Sequence, residues 1–122
     1  EMLRSLVGSE MCIRDSIWAS WCSPCREEHQ YLVKLQNTTK LNIIGINYKD
    51  KRNNSIKFLN ELGNPFDTII IDTKGLISVS LGAYGVPETY LVNKNFKILK
   101  KFVGPLNQKN IDELFEIINE NF

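Results

Sequence analysis

Cys22-Ser23-Pro24-Cys25 is the part of this sequence whose residue types and spacing can do chemistry. Two thiols three positions apart can close into a disulfide or pass two electrons to another one. The apolar run 17–21 (IWASW) before the first cysteine reads as a buried strand. Pro24 fits the first turn of a helix, where its missing N–H costs nothing. A strand end and a helix start therefore meet at Cys22. Such a helix end carries unpaired N–H donors and about half a positive charge, which stabilise a thiolate. A free cysteine titrates near ~8.5, and a site of this kind brings it to roughly 7 or lower. Cys22 is expected to be the attacking sulfur, and Cys25, one helical turn on, the resolving one.

The competing chemistry is a structural zinc site. Cys12, Cys22, Cys25 and His29 add up to a ligand set, yet no second C-x-x-C or C-x-x-H knuckle accompanies them. The redox reading is preferred, with no metal and no organic cofactor. His29, four residues past Cys25, is assigned to the helix surface rather than to proton transfer. Trp18 is assigned to the core and Trp21 to shielding the cysteine pair. Tyr84 is left between groove lining and core packing.

The elements that must position the pair follow from periodicity. Residues 24–37 are helical in composition, with Cys25, Leu32 and Leu35 recurring on one side and Glu27 and Lys34 facing away. Runs 42–48 (NIIGINY) and 67–72 (DTIIID) read as buried strands, separated by an amphipathic helix at 53–62 that Gly63-Asn64-Pro65 ends. A short helical stretch at 76–81 leads into the loop Gly82–Pro87. Strands at 88–93 and 97–103 are joined through Lys94-Asn95, and a helix spans 108–120. The order β-α-β-α-β-α-β-β-α implies a mixed sheet with helices on both faces.

Composition excludes other classes. A chain of 122 residues, 43% hydrophobic, is one domain able to bury a core without staples. Fifteen basic and 14 acidic side chains leave a net charge of +1, which argues against a nucleic-acid partner. The clusters Lys49, Lys51, Arg52 and Lys100, Lys101 read as solvated faces. No apolar run approaches the ~18 residues of a membrane span, and no signal-peptide layout is seen.

Trp18-Ala19-Ser20-Trp21-Cys22-Ser23-Pro24-Cys25-Arg26 resembles the active-site signature of the thioredoxin superfamily. Arg26-Glu27-Glu28-His29, Gly45-Ile46-Asn47-Tyr48-Lys49-Asp50, Glu61-Leu62-Gly63-Asn64-Pro65 and Tyr84-Gly85-Val86-Pro87-Glu88-Thr89 narrow the likeness. As a set, from about Ile17 to the C-terminus, they resemble the cytochrome c biogenesis thiol:disulfide interchange proteins of the CcmG/DsbE type. The resemblance implies an α/β thioredoxin fold, a mixed sheet flanked by helices on both faces, with its N-terminal strands incomplete. It implies a Cys22–Cys25 redox pair, supported by Trp21 and Pro24, and a cis Val86-Pro87 bond opposite the cysteines. The Val86 backbone would then be free to pair with an extended substrate peptide. Glu28 and Glu88 match two acidic residues around the family's active site. Either could handle the proton that resolution needs, or be an idle solvated carboxylate.

By the same resemblance the substrate is the disulfide of apocytochrome c and the electron donor a membrane protein of the DsbD/CcdA type. The full-length protein would be periplasmic and held to the inner membrane by an N-terminal anchor that this chain lacks. A generic thioredoxin-like or peroxide-reducing relative, and a non-catalytic thioredoxin-fold binding module, are the alternatives. Residues 1–16 fit nothing expected upstream: the run 6–16 resembles translated sequencing-adapter text. They are set aside as a segment unrelated to a domain at 17–122, and Cys12 receives no role. Ser16 stands where the family has asparagine. Asp15, a position out of register with the buried aspartate of other thioredoxins, would point to the opposite strand face and is given no role.

Overall fold

Short β-branched runs alternating with amphipathic stretches can bury both kinds of apolar face only by laying helices over a sheet. The computed structural model describes residues 11–39, 41–93, 95 and 97–121, and the side chains of these except 11–14 and 119–121. Its elements are β1 (Met11–Trp18), α1 (Ser23–Thr38), β2 (Asn42–Tyr48), α2 (Arg52–Leu62) and β3 (Thr68–Asp72). They continue with α3 (Leu76–Ser80), β4 (Glu88–Asn93), β5 (Ile98–Val103) and α4 (Gln108–Asn121). The strands form one mixed sheet in the order β3-β2-β1-β4-β5. Strand β1 lies in the middle, parallel to β2 and antiparallel to β4.

Strand alternation divides the core in two. On one face Trp18, Ile43, Leu91 and Phe102 meet Cys25, Leu32 and Leu35 of α1, Phe58 of α2, and Ile111 and Leu114 of α4. On the other, Ile17, Ile46, Tyr90 and Val92 pack with Ala83 and Val86, and the Tyr90 hydroxyl lies 3.4 Å from the Leu81 carbonyl oxygen just after α3. Trp18, as expected, is core: it stacks on Phe66 with ring centres 5.4 Å apart and leans on Phe58 at 5.0 Å. Gly45 makes room for that stack, since a Cβ there would lie 2.7 Å from a Phe66 ring carbon and 2.9 Å from Trp18 Nε1.

The first strand differs from the expectation. It begins at Met11, so the sheet takes in residues 11–16, and it ends at Trp18, so Ala19-Ser20-Trp21 is a turn rather than strand. The aromatic composition of 17–21 suggests extended backbone, but hydrogen bonds to a distant loop draw Ser20 and Trp21 out of the sheet, as detailed below. Between Ile13 and Ser16, β1 carries one residue more than its partners: Ile13 and Ser16 face Ile43 and Gly45 of β2, while Ile13 and Asp15 face Leu91 and Tyr90 of β4. This is a bulge. Beyond it Asp15 shares the face of Ile17, away from Ser16, and is buried opposite Tyr90. Residues 1–10, the side chain of Cys12 and Lys94 lie outside the described residues; near the β4–β5 turn, Asn93 Oδ1 accepts from the backbone N–H of Asn95 and Lys97. The solvated-face reading fails for Lys101, which forms an ion pair with buried Glu88 at 3.6 Å.

Candidate active site

The central strand delivers the chain directly to the cysteines. Cys22 is the N-cap of α1, with extended backbone (φ −97°, ψ 111°), and its Sγ accepts a hydrogen bond from the Cys25 N–H at 3.2 Å. A sulfur thus takes the position that serine or aspartate oxygens usually occupy at helix starts. Pro24 sits in the first helical turn, as expected. Cys22 and Cys25 are joined by a disulfide, their Cα atoms 5.2 Å apart. When that bond is reduced, the same N–H and the helix end favour the Cys22 thiolate.

The turn before Cys22 is fastened from outside. Asp50, in the loop between β2 and α2, accepts from the Ser20 N–H through Oδ2 (2.7 Å) and from the Ser20 hydroxyl through Oδ1 (2.8 Å). Asn47 and the Lys51 N–H also donate to it. Burial pushes the Asp50 carboxyl up, but donors from Ser20, Asn47 and Lys51 together outweigh this and hold it below its ordinary range. Trp21 is largely exposed, and its indole N–H donates to the Lys49 carbonyl at 2.9 Å. Lys49 takes a left-handed backbone (φ 43°), uncommon for a residue with a Cβ. Asp50 was missed as a site residue; its only sequence signal was its place in the run Gly45–Asp50.

The other segment to which the resemblance assigns a part is the loop leading into β4. The Val86-Pro87 peptide is cis. Glu88 holds this loop: its Oε2 accepts from the N–H groups of Tyr84 (2.6 Å) and Gly85 (3.2 Å), and its Oε1 from the Tyr90 hydroxyl (3.1 Å). Burial and the Glu88 carboxylate in turn hold the Tyr90 phenol above its usual value. Glu88 is therefore no solvated acid. Tyr84 is 90% exposed, which removes it from the core. With Val86, Pro87 and Val103 it lines an open groove of about 230 Å³, and the Lys101 ammonium lies 4.9 Å from its ring centre.

Glu28 and His29 are the main surprises of α1. Both are buried, on the stripe with Cys25, Leu32 and Leu35. Glu28 Oε1 accepts from the Leu106 N–H at 3.0 Å, whereas Oε2 has no partner among the described residues. Burial pushes the Glu28 carboxyl up to about 8, against the opposing pull of the Leu106 hydrogen bond. His29, expected on the surface, is instead wedged edge-on against Phe58 and Phe66, with Nε2 2.8 Å from the Gly63 carbonyl oxygen. Burial drives its imidazole below the ordinary value despite that bond. Glu28 and Glu88 are not brought together: Glu28 lies under α1, while Glu88 shares the opposite sheet face with Tyr90. No grouping of three metal-ligating side chains occurs among the described residues, and none of their helices is long and apolar enough to cross a membrane.

Comparison with known proteins gives this geometry its family. Over 98 residues the chain is 47% identical to the thiol:disulfide interchange protein CycY of Rhizobium leguminosarum, a match covering 80% of this chain and 53% of that one. It is 43% identical to DsbE of Vibrio cholerae over the same shares of the two chains. It thus spans about half the length of the curated relatives it matches. A Chlorobium tepidum structure described as a candidate DsbE superposes with a TM-score of 0.71 at 28% identity, covering 97% of this chain and 83% of that one. The redoxin family profile matches residues 12–118. With a cysteine pair capping a helix at the end of the central strand and a cis-proline loop beside the next one, the chain belongs to the redoxin family, in its thioredoxin-fold, DsbE-like branch.

Proposed function

We propose that this chain is the catalytic domain of a protein-disulfide reductase that acts on the disulfide of apocytochrome c during cytochrome c maturation. The observation that carries the reading is Cys22 at the N-cap of α1, joined to Cys25 by a disulfide. The names of the DsbE and CycY relatives support the reaction class. In the forward reaction the Cys22 thiolate attacks one sulfur of the substrate disulfide and expels the other as a thiolate, leaving a mixed disulfide. Cys25 then loses its proton and attacks the Cys22 sulfur, releasing the second substrate thiolate. Two electrons pass to the substrate and the Cys22–Cys25 disulfide remains. Glu28, one turn beyond Cys25 and shielded from water, keeps its own proton up to about pH 8, so only its ionised fraction, which grows towards that pH, takes the proton that Cys25 gives away; otherwise that proton goes to the departing substrate thiolate.

The substrate segment lies extended along the Val86 backbone, between exposed Trp21 and the Tyr84–Val103 groove. By family likeness the reaction takes place in the periplasm, the domain is tethered to the inner membrane, and a membrane donor of the DsbD/CcdA type restores the dithiol. By their likeness to adapter text residues 1–16 are read as foreign to the domain, against the entry of 11–16 into the sheet and the start of the family profile at residue 12. Recovery of the same unfolding midpoint after a native first strand replaces them would count against it.

The deciding experiment is the reduction potential of the Cys22–Cys25 pair against glutathione or dithiothreitol. A value towards ~−270 mV, as in thioredoxin, is expected of a reductant. A value near ~−120 mV, as in a strong oxidant, would remove the apocytochrome assignment.

A further inference from the structure

The loop 49–51 has no part in the chemistry above, yet it holds the turn that carries the attacking cysteine. Asp50 grips Ser20 by both its N–H and its hydroxyl, and the Lys49 carbonyl takes the indole N–H of Trp21. These contacts join positions about thirty residues apart, so they are tertiary fastenings rather than local turn bonds. Within the turn itself the described hold is weak: the Cys22 N–H reaches the Ala19 carbonyl at 3.3 Å. Ser20 and Trp21 have left the sheet and α1 starts only at Ser23, so neither neighbouring element fixes them. The fastening has a visible backbone cost, because Lys49 is held left-handed while its N–H bonds to the Asp72 carbonyl. Residues kept in sparsely populated conformations persist where their surroundings over-determine them.

We infer that Asp50 is a positioning residue for disulfide exchange: with Ser20 it forms a clasp that keeps Cys22 at the helix N-cap, where its sulfur meets the Cys25 N–H. The inference rests on the interchange activity and not on which disulfide is reduced. A clasp and a bare charge make opposite demands. A carboxylate near the turn disfavours a thiolate by like-charge repulsion, so removing the charge alone lowers the pH midpoint of Cys22. Loss of the clasp loosens the N-cap geometry and raises it.

The test uses the whole chain, reduced beforehand, acting on a disulfide-bridged peptide, with the thiolate followed by its ultraviolet absorbance. Asp50→Ala is expected to slow exchange at least tenfold and to raise the Cys22 midpoint. Asp50→Asn keeps one acceptor oxygen but sets its amide N–H donors against either the Ser20 or the Lys51 N–H, so it is expected to slow exchange, though by less than Asp50→Ala. Ser20→Ala is expected to slow exchange in the unaltered chain and to add nothing in the Asp50→Ala background. If Asp50→Ala does not fold, the Asn and Ser20→Ala rates still decide. The inference is overturned if Asp50→Ala is within twofold of the unaltered chain, or if its midpoint falls. It is equally overturned if the Asn variant exchanges as fast as the unaltered chain, or if Ser20→Ala alone has no effect. An unaltered chain that cannot reduce the peptide while Cys22 is free would instead sink the reductase reading itself.

Discussion

Replacing Glu28 by glutamine should change how stability depends on pH, by an amount the structure sets. The carboxyl is wholly buried, and its pKa is raised from 4.5 to about 8. Below pH 4.5 it is protonated in both the folded and the unfolded chain and has no effect on the balance. Between about 5 and 8 the unfolded chain releases this proton while the folded one keeps it, so stability falls as pH rises, by about 1.4 kcal/mol per unit. From pH 5.5 to 7.5 the wild-type chain should therefore lose about 3 kcal/mol that Glu28→Gln does not lose. Glutamine can still accept from the Leu106 N–H, and any cost of its unpaired amide is constant with pH. Urea unfolding of the oxidised forms across this range is the assay, because the disulfide removes both active-site thiols from the titration. His29 acts in the opposite direction: its depressed pKa makes stability fall as pH drops through the unfolded value of 6.5. That effect is common to both proteins and cancels in their difference. Two stability curves that stay parallel from pH 5.5 to 7.5 would refute the reasoning, since Glu28 would then ionise in the fold as it does in water.

Other outcomes follow from the same geometry. Cys22→Ser should abolish turnover, and Cys25→Ser should accumulate a substrate-linked mixed disulfide visible by mass spectrometry; an unaltered chain without turnover whose partner binding survives Cys22→Ser would favour the binding-module reading. Glu88→Ala removes the acceptor for the Tyr84 and Gly85 N–H groups, so it should cost about 2–3 kcal/mol and speed amide exchange at those two positions. Unchanged protection there would show that the loop holds itself. Gly45→Ala puts a methyl into the Trp18–Phe66 stack and should destabilise by about 1–3 kcal/mol in denaturant unfolding.

Element order was legible because β-branched runs and helical apolar periods alternate without ambiguity from residue 42 onwards. Thus 42–48 and 88–93 match their strands end for end. The first strand was misread at its far end because Ala19-Ser20-Trp21 is apolar enough for a sheet, and only the remote Asp50 and Lys49 show that it turns. His29 and Glu28 fall at helical spacing with Cys25, Leu32 and Leu35, so the period already pointed inward. Polar character argued for the surface at His29 and left Glu28 between proton handling and an idle solvated acid, and the decision lay with distant partners: Phe58, Phe66 and Gly63 for the histidine, Leu106 for the glutamate. The redox pair and its proline needed no such information, since their spacing is itself the chemistry. Glu88 was flagged by resemblance alone, and its hydrogen bonds to the cis-proline loop depend on how that loop folds back.

The placement of the two sulfurs has a kinetic consequence. Cys22 stands at the helix tip with 4% of its surface exposed and Cys25 one turn further in with 1%, so an incoming thiol or disulfide meets the pair first at Cys22. In the interchange reaction proposed above, the molecule that brings electrons and the molecule that takes them would therefore use one and the same atom, and could not be bound to it together. The domain works as a turnstile, with each visitor leaving before the next arrives. Initial rates measured against both reactants should form parallel lines in double-reciprocal plots, the mark of ping-pong kinetics, and converging lines would contradict it. An excess of either reactant that occupies Cys22 unproductively should then slow the other's half of the cycle.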